Sequence, residues 1–173
     1  TEGIIDPDQI GIRAAVVKAT YMSSVGARKL PSIMEENLAK KIREDGHEYG
    51  ATTKRPRDIY HLDLVALKFY AKVGRINRLI LTHMDLVYPK TSIKACVGYT
   101  VNGKTVDYRP DQVFLNTVSP KYILFPSWDK NKLQKVHTYK DLPKEAKGFI
   151  KFIEKMPQVK IMMVTTGPKR DQS

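Results

Sequence analysis

Hydrophobic positions along the chain fall into short clusters, and their spacing changes from one cluster to the next. Ile10 to Thr20, IGIRAAVVKAT, is apolar and β-branched in its second half and predicts a buried strand. From Ser32 to Gly50 the apolar positions Ile33, Met34, Leu38 and Ile42 recur at helical spacing. Ser32 and Glu35 match a capping box there, and Gly46 ends the run. His61 to Arg75 predicts a second helix with Leu64, Leu67 and Ala71 on one face. Leu79 to Leu81 is a short buried strand that runs into a polar turn, Thr82 to Asp85. Alternation on both sides of Asn102-Gly103 predicts a β-hairpin, because that pair suits the positive φ angles of a type I′ turn. Lys121 to Lys130 reads as another strand and turn. Asp141 to Met156 reads as a helix with Asp141 as N-cap, Pro143 in its first turn, and Ala146, Phe149, Ile150 and Ile153 buried. Val159 to Val164 predicts a last buried strand, opening into the loop Thr165 to Ser173.

Strands and helices mixed in this way, without a repeat or a linker, predict one α/β region over residues 1–173: a mixed, largely parallel sheet with flanking helices and a β-hairpin. Ligands of open α/β sheets gather beyond the carboxyl ends of the strands, which points to Thr82–Asp85 and Thr165–Arg170. Cys96 is the only cysteine, so no intramolecular disulfide forms, in keeping with a reducing, cytoplasmic setting. No apolar run approaches the ~20 residues of a membrane helix. The first residues carry neither a signal-peptide pattern nor an initiator Met, and the chain is expected to be a piece of a longer one. The net charge of +12 invites an anionic partner. The lysines and arginines are dispersed, however, with no block of five and no interleaved aromatics, which argues against nucleic acid.

Three loops carry candidate chemistry. In Gly50–Asp58, GATTKRPRD, Arg55 and Arg57 flank Pro56 and follow Ala51, Thr52, Thr53 and Lys54. A guanidinium is a planar fork of donors that matches a carboxylate or phosphate, and a stiff two-residue spacing can aim two forks at neighbouring anions. A solvated basic turn is the other reading. In Leu81–Asp85, LTHMD, an apolar strand running into Thr-x-x-Asp resembles a guanine-reading turn. There a fixed carboxylate accepts from the N1–H and exocyclic amine of guanine, a donor pair that adenine lacks on that edge. An Asp capping the next turn is the plainer alternative. Thr165, Thr166 and Gly167 open a tight turn with backbone donors. His47, His61, His83 and His137 have no ligand spacing, so no metal site is expected, and Cys96 reads as core. Neither Gly-x-x-x-x-Gly-Lys nor Gly-x-Gly-x-x-Gly is present.

Taken in order, VVKATYMSSVGARKLPS, GHEYGATTKRPRDIYHLDLVAL, LILTHMDLV, IKACVGYTVNGKTV, YKDLPKEAKGFIKFIE and TTGPKRD resemble the C-terminal half of adenylosuccinate synthetase over nearly the whole chain. The resemblance implies the C-terminal part of a larger P-loop-like nucleotide-binding fold. It also implies a GTP-dependent ligase of purine biosynthesis, joining IMP to L-aspartate through a 6-phosphoryl-IMP intermediate. Ala51, Thr52, Thr53, Lys54, Arg55, Pro56 and Arg57 then match the loop that closes over aspartate, Arg55 also reaching the IMP ribose and Arg57 lying near GTP. Val25 falls where the backbone approaches the IMP ribose. His83, Met84 and Asp85 match the guanine turn, with Asp85 as base reader, and Thr165, Thr166 and Gly167 its second wall. The resemblance places the phosphate loop, the general base and acid, and the Mg2+ ligand in an N-terminal half outside this sequence, so no catalytic residue is expected here. It implies a homodimer. The chain departs from the family at several positions: Lys54 replaces a usual Gly, Ser24 an Arg, His83 a Lys, His61 a Trp, and Arg28-Lys29-Leu30-Pro31 a Gly-Pro-Phe-Pro run. The alternative is a non-catalytic basic nucleotide- or nucleic-acid-binding module derived from that fold.

Overall fold

A computed structural model of the chain describes residues 9–167. In order come β1 (Ala14–Lys18), β2 (Tyr21–Ser24), α1 (Glu36–Asp45), β3 (Asp58–Asp63), α2 (Leu64–Val73), β4 (Arg78–Thr82), β5 (Ile93–Val101), β6 (Lys104–Val106), α3 (Gln112–Leu115), β7 (Ser119–Phe125), α4 (Lys130–Leu133), α5 (Lys144–Lys155) and β8 (Lys160–Val164). They form the expected mixed α/β arrangement, divided between two sheets. The first is wholly parallel, in the order β1-β4-β8. In the second, β2 runs antiparallel to β3, β3 parallel to β5, and β5 antiparallel to β6 and β7.

Helix α5 supplies four residues to the core. Ala146, Phe149, Ile150 and Ile153 are buried as the spacing predicts, and Phe149 packs against Phe125 and Trp128. Burying each of the three large side chains stabilises the fold by about 1.5–3 kcal/mol. Leu64, Leu67 and Ala71 of α2 join the same cluster with Leu79 and Leu81 of β4. The hairpin closes through Asn102 at φ 49 and Gly103 at φ 77, both left-handed as the turn type requires.

Several expectations are corrected. The helix expected from His61 begins at Leu64, and Asp58–Asp63 before it is strand β3, buried from Ile59 to Asp63. A strand covered on both faces has no alternating pattern to betray it. β2 follows β1 after only two residues and lies beyond the run Ile10–Thr20 in which a single strand was expected. Ser32 and Glu35 do not form a capping box. The Ser32 hydroxyl donates to Asp63 at 2.8 Å, while Glu35 reaches His61 at 3.1 Å and pairs with Lys94. Asp141 does not cap α5 either: it accepts from the amide and hydroxyl of Thr138, closing a tight turn before Leu142. β8 is an edge strand rather than a buried one, with Met162 52% and Met163 39% exposed, and β1 forms the opposite edge with Val16 68% exposed.

Candidate functional site

Because β1, β4 and β8 are parallel, their carboxyl ends share one edge of the sheet: Lys18 lies opposite Thr82 and, past an irregularity between Leu79 and Ile80, Leu81 lies opposite Val164. The loops beyond are stitched to that edge by backbone bonds. Ala19 N–H donates to the Thr82 carbonyl and Thr165 N–H to the Leu81 carbonyl, each at 2.8 Å. Two of the loops picked out in the sequence, His83–Asp85 and Thr165–Gly167, are thus neighbours.

The turn after β4 is held tightly. His83 sits in the left-handed region at φ 56, and its carbonyl accepts from Leu86 N–H at 3.2 Å. Met84 is fully buried in the core, and its carbonyl takes the Trp128 indole N–H at 2.8 Å. Met84 therefore anchors the turn and presents no side chain to a ligand. Asp85 is half-buried, and its carboxylate meets no hydrogen-bond donor among the described residues. Burial, with Lys18 nearby, lowers the His83 pKa, which favours the neutral imidazole. Thr166 is buried, while Thr165 and Gly167 are half-buried.

Loop Gly50–Arg57 folds back on itself. Gly50 N–H donates to the Arg55 carbonyl at 2.8 Å, Lys54 N–H to the Gly50 carbonyl at 3.0 Å, and Tyr49 bridges to Pro56. Ala51 through Pro56 are exposed. Lys54 has φ 54, the conformation that glycine adopts most readily. The Arg55 guanidinium is without a partner among the described residues, whereas Arg57 is engaged, its Nη1 donating to Glu48 at 2.9 Å.

Glu48 is the residue that the sequence did not reveal. It is 2% exposed, and both carboxylate oxygens are filled. One accepts from the Tyr21 hydroxyl at 2.6 Å and pairs with Lys18; the other accepts from Ser23 at 3.0 Å and from Arg57. Burial alone would raise its pKa, but the bonds from Lys18, Tyr21 and Ser23 outweigh that and hold it below the usual carboxylate range. Gly46 permits the arrangement, since a β-carbon there would stand 2.9 Å from the Tyr21 hydroxyl oxygen. The Tyr21 ring in turn meets His83 edge-on at 5.8 Å between centroids. A continuous set of contacts thus joins the arginine loop, through Glu48 and Tyr21, to the turn carrying Asp85.

Val25 follows β2 and is exposed, beside a cleft of about 380 Å3 lined by Lys18, Tyr21, Ser23, Ser24 and Arg28 among others. Arg28 donates to the Tyr70 hydroxyl at 2.7 Å, pinning this loop to α2. Cys96 is buried in β5, its thiol pushed up to about 12 by burial and then by Asp63, which suits a core residue rather than a nucleophile. Among the described residues no three His, Cys, Asp or Glu side chains gather to hold a metal ion, and no helix is long and apolar enough to cross a membrane.

The half-buried Asp85 carboxylate and the threonine-bearing turns at the carboxyl ends of a parallel sheet place the chain among α/β proteins that gather ligands beyond their strand ends. The family model for adenylosuccinate synthetase matches residues 1–173, and the chain belongs to that family. The adenylosuccinate synthetase of Malacoplasma penetrans (strain HF-2) is 40% identical over 160 residues, covering 91% of this chain and 37% of the relative. That of Clostridium novyi (strain NT) is 36% identical over 170 residues, covering 98% and 39%. The structure of fully ligated adenylosuccinate synthetase from Plasmodium falciparum superposes with a TM-score of 0.89 at 28% identity, over 97% of this chain and 40% of that one. The chain therefore spans about two-fifths of the length of these relatives.

Proposed function

We propose that this chain is the substrate-reading part of a GTP-dependent ligase of purine biosynthesis that joins IMP and L-aspartate. The observation that carries the reading is the meeting, at one sheet edge of a member of this family, of the open Asp85 carboxylate and the Thr165–Gly167 turn, with the arginine loop tethered to them through Glu48. Asp85 accepts from guanine N1–H and the exocyclic amine, and the Thr165–Gly167 backbone closes the other side of the base. Arg55 takes an aspartate carboxylate from the exposed side of its loop, and Arg57 adds positive charge beside it. The Ala51–Thr53 backbone and hydroxyls line the same site, and Val25 borders the IMP ribose. These groups bind and orient substrates and stabilise the negative charge that develops during phosphoryl transfer. Mg2+, when bound, neutralises phosphate charge, and none of the described side chains is assigned to it. The family's homodimer and cytoplasmic setting are carried over with the reading.

In the complete protein, Arg55→Leu is expected to raise the KM for aspartate at least about tenfold, the equivalent of ~1.4 kcal/mol of binding. Steady-state turnover with IMP and GTP held saturating measures it, and an unchanged aspartate dependence rejects the assignment.

A further inference from the structure

Glu48 lies outside every loop assigned to a ligand, yet its buried carboxylate is where three segments meet: the end of β1 (Lys18), strand β2 (Tyr21 and Ser23) and the loop after α1 (Arg57). Arg57 is gripped twice, since its backbone N–H also donates to the Glu48 carbonyl at 3.0 Å. Only Nη1 of the guanidinium donates to Glu48. Two cations share one carboxylate, so the cluster keeps a net positive charge that an incoming anion can complement.

We infer that Glu48 is a positioning residue: it fixes the Arg57 guanidinium through Nη1 so that Nη2 is presented to the dicarboxylate substrate. The inference rests on the function proposed above and deepens it. Without Glu48, Arg57 would need to be ordered at the moment of binding, and that entropic cost would appear as weaker affinity. The chemical step, which Glu48 does not touch, would keep its rate at saturation. A purely structural tether at the same place would act on stability alone, independently of Arg57.

The test is a double-mutant cycle on the complete protein, reading KM for aspartate and kcat separately. Glu48→Gln is expected to raise KM about tenfold with kcat within about threefold. Ser23→Ala removes one of the bonds that orient the same carboxylate, and is expected to raise KM about twofold to threefold in the same direction. In the Arg57→Ala background both increments disappear. Should Glu48→Gln fail to fold, Ser23→Ala in the two backgrounds decides. Equal increments with and without Arg57, or no change in KM from either substitution, overturns the positioning role while leaving the proposed function intact. If Arg57→Ala itself leaves the aspartate KM unchanged, the placing of Arg57 at the dicarboxylate fails, and the Glu48 role with it. Arg55→Leu then decides separately whether the loop serves aspartate at all.

Discussion

Replacing Asp63 with alanine removes a carboxylate that three buried groups depend on. Its side chain sits where β3 passes into α2, with no exposed surface. It accepts from Tyr99 at 2.6 Å, Ser32 at 2.8 Å and the Ala66 amide at 3.0 Å. Losing the helix cap costs about 1 kcal/mol. Stranding the two hydroxyls costs about 1–3 kcal/mol each, less whatever they recover by rotating to other acceptors. A destabilisation of about 3–5 kcal/mol is expected, a large part of the ~5–15 kcal/mol that holds a typical domain. Asp63→Asn keeps the shape and one acceptor, and should lose only about 1–2 kcal/mol. The pH dependence is a second handle. Burial, ahead of the three bonds, raises the Asp63 pKa, so the unfolded chain ionises first. The stabilising contribution is complete below the ordinary carboxylate value and falls as pH rises toward the raised folded one. Asp63→Asn should abolish that part of the profile. Urea denaturation followed by far-ultraviolet circular dichroism, at several acidic pH values, measures both effects. A shift below about 1 kcal/mol for Asp63→Ala, or an unaltered profile in Asp63→Asn, would refute the reasoning.

Two further outcomes are expected. Lys54→Gly relieves a left-handed conformation that costs about 1–2 kcal/mol and returns about 0.5–1 kcal/mol as unfolded-chain entropy. The variant should melt about 1–2 °C higher than Lys54→Ala in a calorimeter, and a glycine variant melting no higher than the alanine one contradicts this. Asp85→Asn in the complete protein should lower kcat/KM for GTP at least about tenfold and narrow its advantage over inosine and adenosine triphosphates, because an amide offers one acceptor where the carboxylate offers two. Retained preference for GTP, measured as the ratio of kcat/KM values, would dismiss Asp85 as the base reader.

Where local chemistry dominates, the residues disclosed the structure. The Asn102-Gly103 turn, the apolar stripe of α5 and the Gly46 stop after α1 each depend on neighbours a few positions apart. Ser32 and Asp141 show the converse. Both had the right identity and spacing for helix caps, yet Ser32 is claimed by Asp63, 31 positions away, and Asp141 by a separate turn. The exposure of β8 was equally illegible, since an apolar run does not say which strand lies at the edge of a sheet. The candidate site follows the same division. Its loops stood out through arginine spacing and strand-end polarity, and the β1-β4-β8 register explains why two of them adjoin. Glu48 did not stand out, because its meaning lies in Lys18, Tyr21 and Ser23, 25 to 30 positions away. Pairing of that kind leaves no periodic trace.

The indole of Trp128 hangs from the main chain one residue before Asp85, and it is the chain's only tryptophan. Nature has in effect wired a fluorophore to the turn that we assign to guanine. A small displacement of that backbone on nucleotide binding would alter the polarity around the ring and hence the colour and yield of its emission, so occupancy could be followed optically in this chain without attaching a label.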